Sequence, residues 1–446
     1  MNDADRTRQI VDELARVDGD RPGAKSPSVK HALMAQNPFR FLRGSAQLFY
    51  HDLANGLVTL PLPFVNTARQ TTVLGDCHMA NFGFVTEKGS YGKHIVFGPN
   101  DFDEACIGSA GWDLTRFITS LYVGADFACG FNEGHYVEDG TRRHHDLKVP
   151  RPEDVTKAAQ AFLTRYAAVC LEIVDDRTVR RRTLDSFGKH HPLRHFLKKA
   201  RKRAIGGKNF ETKSSLGKAV AIRGAGLQFK NDPERYLRLD PATERSVREA
   251  FRPYVDDEVL DVVRRLGQGT GSIDMPRYYL LVGPRGASTH AELPMCQIVE
   301  VKQQRAAAAL HNFPSVDPRN CVGPAHLTVN VQRRVQREPD LLLDHAEWDG
   351  AYWLIRSRHH ARVTARPEQI FLSKGGGAKR LKKYAEACGE ALALAHSRGD
   401  SRSVRFEISI AAAFCQDGDA LVETACAYAA LTIEDWRRFR TFVLLT

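Results

Sequence analysis

The chain has no pair of cysteines spaced C-x-x-C, and its nine cysteines stand singly along the sequence. A disulfide framework or a zinc ribbon needs closely spaced thiols, so neither is expected, and a reducing compartment suits the chain best. No apolar run approaches the roughly 20 residues that cross a bilayer, so no membrane partner is expected. The opening segment MNDADRTRQIVDELARV is charged and helix-patterned, unlike a secretory signal, and a cytoplasmic location is expected. Internal repeats and low-complexity tracts are also missing, which removes solenoids and disordered arrays.

What is present is ordinary globular material. The 446 residues, 43% of them hydrophobic, are enough for two or three domains with a sizeable core. Lys and Arg number 64 against 53 Asp and Glu, a formal charge of +11. That balance suits a polyanionic partner, whether nucleotide, nucleic acid or acidic surface, without choosing among them. The densest basic run, RTVRRRTLDSFGKHHPLRHFLKKARKRAIGGK at 177–208, interleaves Phe187 and Phe196 and could hold nucleic acid. A solvated basic helix pair is the plainer reading.

The chemistry concentrates in LGDCHMANFGF at 74–84 and NDFDEACIGSAGWDLTRF at 100–117. Each follows a short strand-like run, 71–74 and 95–97. Two strands ending side by side would gather Asp76, His78, Asn81, Asp101 and Asp103 around one point. Converging oxygen groups suit a hard cation such as Mg²⁺. Asp113 falls in the first turn of a helix, where a carboxylate meets free N–H groups, and is expected to be structural. Upstream, 39–53 has helical apolar spacing and carries Arg40 and Arg43, either reaching an anion or solvated.

A different texture begins near 266. Gly269, Gly271 and Ser272 lie in a Gly-rich turn that leads into a strand, and a second strand from 294 carries Lys302 near its end. Helices are expected at 325–337, 379–397 and 403–446, and a strand at 351–357. Phosphoryl transfer needs positioning, metal neutralisation of phosphate charge and a group that orients the attacking hydroxyl. Asp76 would orient the acceptor, Asn81 and Asp101 would hold Mg²⁺ with Asp103 beside them, and Lys302 would pair with the phosphates of ATP. The backbone at Gly269 and Gly271 would approach those phosphates unhindered.

These two segments resemble the catalytic segment of the aminoglycoside phosphotransferase and choline kinase branch of protein-kinase-like enzymes. The resemblance implies a catalytic role for Asp76, the loop His for His78, metal binding for Asn81 and Asp101, and a structural role for Asp113. Over a longer span the chain is similar to an uncharacterised bacterial family, domain of unknown function 2252, through FRFLRGSAQLFYHDL, GDCHMANFGF, NDFDEA, WDLTRF, VEVKQQ, YWLIRS and LALAHSRGD. Leu74 stands where the kinase-like pattern opens its loop with His, and Ser109-Ala110 replace an Asp-Pro pair. The Gly-rich turn and Lys302 follow the catalytic segment rather than precede it. A circular permutation reconciles that order. The expected fold is therefore α+β, two-lobed, protein-kinase-like and permuted. Its parts are an N-terminal helix and linker at 1–37, a large-lobe part at 38–261, a small nucleotide-binding lobe at 262–357, and a helical part at 358–446 completing the large lobe. The expected activity is ATP- and Mg²⁺-dependent phosphate transfer to a hydroxyl of an unidentified small molecule or protein. A nucleotide-binding pseudokinase and a metal-dependent phosphoester hydrolase are the alternatives.

Overall fold

The longest apolar stretch of the first half becomes one helix, Ala110–Glu133. Its sequence is hydrophobic on every side, and a helix of that kind belongs inside a core. Ser109 caps it by accepting the N–H of Gly111, and Gly134 ends it at φ +92°. Around it pack the helices Pro152–Asp175, Ala378–Gly399 and Arg405–Leu445. Gly389 permits the closest of these approaches, because a Cβ there would lie 2.3 Å from the carbonyl oxygen of Phe162. The computed structural model describes residues 3–23, 28–65, 70–138, 147–224, 226–267, 271, 275–374 and 377–445. Gly269 and Ser272 lie outside them.

The fold is mixed α+β. In chain order the strands are β1 (Thr71–Val73), β2 (Phe82–Thr86), β3 (Ile95–Pro99), β4 (Cys106–Gly108), β5 (Val220–Arg223), β6 (Gly226–Phe229), β7 (Tyr236–Leu237), β8 (Glu258–Arg265), β9 (Arg277–Gly283), β10 (Gln297–Gln304), β11 (Leu343–Trp348), β12 (Ala351–Ser357) and β13 (Val363–Thr364). One six-stranded sheet runs β11-β12-β10-β9-β8-β7, a three-stranded sheet runs β13-β2-β3, and β1-β4 and β5-β6 are pairs. All pairings are antiparallel. Lys302 on β10 stands opposite Arg277 on β9 and Leu354 on β12.

The run YYLLV on β9 buries both faces of the large sheet, since successive strand residues point to opposite sides. Tyr279 and Leu281 join Phe210, Phe229 and Ile298. Leu280 and Val282 join Val247 and Phe251 of the Pro241–Phe251 helix, with Val301. Strand β8 crosses the expected boundary at 261/262, so the sheet begins earlier in the chain than its Gly-rich turn suggests.

Several local expectations change. Residues 39–53 form two helices, Pro38–Gly44 and Ala46–Ala54, broken at Ser45, whose hydroxyl donates back to the carbonyl of Phe41 at 2.7 Å. Strands β1 and β3 do not end side by side in one sheet: β1 pairs with β4, and β3 with β2. The basic run is only partly a solvated face. Arg180 is buried against Glu407 at 2.6 Å, Arg182 pairs with Glu172 at 2.5 Å and Glu390 at 3.0 Å, and Phe196 lies in the core. Lys198, Lys199, Arg201 and Lys202 on the Leu193–Arg203 helix are exposed. The Asp3–Asp18 helix packs on Arg405–Leu445 near the chain's other end, where Arg6 bridges Asp52 at 2.7 Å and Asp435 at 2.5 Å. Among the described residues no helix is long and apolar enough to cross a membrane.

Candidate functional site

The turn after β1 is held from several sides. Gly75 has φ +75°, and a Cβ there would lie 1.7 Å from the carbonyl oxygen of Glu104, so only glycine fits. The amides of Leu74 and Gly75 donate to Asp113 at 2.6 and 3.1 Å, and Tyr50 donates its hydroxyl to the Gly75 carbonyl at 2.7 Å. His396 Nε2 lies 3.0 Å from Asp113, and the Tyr166 hydroxyl 2.7 Å from His396 Nδ1. Asp113 is thus structural, as expected, but it anchors the turn after β1 and does not meet the N–H groups of its own helix. Position 74 carries no histidine, but His396, from the Ala378–Gly399 helix, reaches the same carboxylate.

The anchored turn presents Asp76. Arg116, one turn beyond Asp113 on the same helix, donates Nε to Asp76 Oδ1 at 2.7 Å and Nη2 to the Leu42 carbonyl at 2.7 Å. His78 Nδ1 accepts the N–H of Ala80 at 3.2 Å, which puts the ring proton on Nε2, 3.5 Å from Asp76 Oδ2. Burial, with Arg43 and Arg116 nearby, pushes the His78 imidazole well below its usual range, so it is neutral. His78 therefore stands beside Asp76 with Nε2 protonated and its other ring nitrogen occupied by Ala80. Asn81 donates Nδ2 to the Asp76 carbonyl at 2.8 Å, which leaves its amide oxygen as acceptor.

The second acidic segment follows β3. Asp101 Oδ1 is buried with no hydrogen-bond partner among the described residues. Burial and the neighbouring Asp103 raise its pKa, against Lys302, Arg356 and Arg362. Asp103 differs: against the burial that would raise it, Lys302 and Arg356 hold its carboxyl down at about 2. Lys302 Nζ donates directly to Asp103 Oδ2. Glu104 accepts the N–H of Ala308 at 2.6 Å and serves the loop after β10.

Asp76, His78, Asn81, Asp101, Asp103, Gly271 and Lys302 all line one open cleft of about 680 Å³. Residues separated by some two hundred positions in sequence thus share a wall. The donor set fits one Mg²⁺. An orphaned carboxylate oxygen on Asp101 and a free amide oxygen on Asn81 are hard ligands, and Mg²⁺ commonly takes one or two carboxylates with phosphate and water completing its shell. Among the described residues no three His, Cys, Asp or Glu side chains group as metal ligands.

Sequence reasoning missed Arg116 and His396. Arg116 had a local signal, lying three residues beyond Asp113 and so on the same helix face. His396 had none, because its partner is 283 positions away. A family model described as an uncharacterized protein conserved in bacteria (DUF2252) matches residues 25–135 and 152–442. No curated protein and no solved structure matches.

Proposed function

We propose a function from one premise: the chain belongs to the family described as an uncharacterized protein conserved in bacteria (DUF2252). The reading is an ATP- and Mg²⁺-dependent phosphotransferase of kinase-like type, acting on a hydroxyl acceptor. The observation that carries it is the meeting of Lys302, on the central strand β10, with Asp103 in the cleft that Asp76, Asn81 and Asp101 also line.

The order of parts supports the two-lobed, permuted arrangement. Counted from the strand before the Gly-rich turn, Lys302 lies on the third strand, and a helix, Pro324–Val335, separates it from the next two. Protein kinases place a Gly-rich loop, a lysine on the third strand and a helix in that order. The end of Ala378–Gly399 abuts β1, since Thr71 donates its hydroxyl to the His396 carbonyl at 2.6 Å. A join there and adjacent chain ends are what a permutation requires. Cys321, Cys415 and Cys426 are exposed and unpaired, which suits a cytoplasmic setting.

In this reading Asp76 orients the acceptor hydroxyl and takes its proton. Its carboxylate is fixed by Arg116 with His78 beside it, and its side chain is 17% exposed. Lys302 exchanges Asp103 for a phosphate oxygen. Asp101 and Asn81 would hold Mg²⁺, which would neutralise phosphate charge. One alternative has specific support. Asp76 is tied to a buried guanidinium, and the Pro324–Val335 helix carries no Glu to pair with Lys302 as the helix of a kinase does. Nucleotide binding without transfer follows if Asp76 does not leave Arg116.

The test is titration calorimetry of ATP with and without Mg²⁺ on wild type, Asp101→Ala and Lys302→Ala. Binding that needs Mg²⁺ and is lost in both variants is expected. Absence of nucleotide binding with any divalent ion would defeat the transferase and the pseudokinase readings together.

A further inference from the structure

A second chamber, of about 1590 Å³, opens on the other side of Asn81, Asp101, Asp103 and Lys302. Strands β9, β10 and β12 roof it, and residues 362–368 form part of its floor. Among the described residues its lining carries eight Arg or Lys side chains against five Asp or Glu. Its roof centres on Glu300, whose side chain is 3% exposed and is shared by three guanidinium groups. Arg356 lies 2.9 Å from it, Arg277 3.4 Å and Arg358 3.5 Å.

Two further arginines make no direct ion pair among the described residues, although Asp101 and Glu300 lie near Arg362, and Asp76, Glu138 and Asp101 near Arg43. Arg362 makes no side-chain hydrogen bond or ion pair among the described residues, and burial together with Arg356 and Arg358 lowers its pKa. Arg43 lines both cavities, and its Nε is buried without a partner. Small-molecule sites that seat a flat aromatic ring are walled mostly by apolar side chains with few polar groups. This chamber inverts that proportion. Guanidinium groups in such number match phosphate oxygens, which they bind in bidentate fashion.

We infer that the chamber grips a phosphate donor by its polyphosphate chain and not by a nucleobase, so that its ligand class is a compact polyanion. The inference rests on the phosphotransferase reading for the role of that ligand, though not for its binding. Arg362 and Arg43 supply the unpaired positive charge. Arg356 and Arg358 are oriented by Glu300, and Lys302 stands where the chamber meets the acidic cleft. Among the described residues Glu300 and Arg356 pair directly and leave no apolar slot between them for a purine, so donors that differ only in base are expected to be equivalent.

The experiment is calorimetry on the full chain in Mg²⁺ with ATP, GTP and inorganic tripolyphosphate as separate titrants. Dissociation constants within about tenfold of one another are expected, with all three weakened at least roughly tenfold by Arg362→Gln. The ligand comparison uses wild type alone, so a folding defect in the variant leaves it intact; a thermal melt establishes whether the variant is folded. ATP binding more than about tenfold tighter than both other titrants overturns the inference while the transferase reading stands. Unchanged binding in folded Arg362→Gln overturns it as well. Tripolyphosphate binding without either nucleotide keeps the inference and defeats ATP as donor. No binding by any of the three defeats both.

Discussion

Asp113 is fully buried and Asp101 is half-buried with one carboxylate oxygen shut off from water, and their surroundings differ oxygen by oxygen. Asp113 receives two backbone amides and His396. Asp101 keeps an oxygen with no partner among the described residues, and burial beside Asp103 raises its pKa. A buried polar group left unpaired costs roughly 1–3 kcal/mol, and more when it is charged. Such a cost persists in a fold when a ligand answers the group. The satisfied carboxylate holds the turn that presents Asp76; the unsatisfied one has the oxygen that the proposed cation would take.

Substitution separates the two. Asp113→Ala strips the acceptor from three buried donors, and a loss of about 3–5 kcal/mol in unfolding free energy is expected by urea denaturation. Asp101→Asn removes a half-buried carboxylate that crowds Asp103 and has one oxygen without a partner among the described residues. Its thermal midpoint should hold or rise, while Mg²⁺-dependent nucleotide binding weakens about 100-fold, roughly 2.7 kcal/mol. Exchange of these outcomes between the two positions would break the comparison. Arg116→Met tests an intermediate case, because Asp76 is partly exposed and its lost partner is replaced in part by water. A destabilisation of about 2 kcal/mol is expected in the same denaturation assay. Tyr166→Phe removes only the hydroxyl that meets His396 Nδ1, and about 1 kcal/mol is expected. A null result there would show that His396 holds Asp113 without that support.

The same contrast separates what could be read from sequence from what could not. The structural role of Asp113 was legible from its place in a helix's first turn, but its partners were not, because the N–H groups it meets belong to Leu74 and Gly75 and not to its own helix. The strand bearing Lys302 and the Ala378–Gly399 helix were legible because their periodicity is local. Grouping Asp76, Asn81 and Asp101 depended on motif spacing, and all three line one cleft, although the expected pairing of β1 with β3 does not occur. The Glu300 cluster escaped because VEVK reads as a strand with alternating charge, and nothing local tells that three arginines from β9, β12 and the segment after it converge on it. Arg362 escaped for the opposite reason. A lone arginine after a strand reads as solvated, and only the burial around it makes its missing partner informative.

The most direct test of the central claim is anomalous diffraction from crystals grown with Mn²⁺ in place of Mg²⁺ and a non-hydrolysable ATP analogue. A single metal peak about 2.0–2.3 Å from Asp101 Oδ1, with Asn81 as a second protein ligand, is the predicted result. A fully bound analogue with Asp101 still unliganded, or metal held elsewhere, would contradict it.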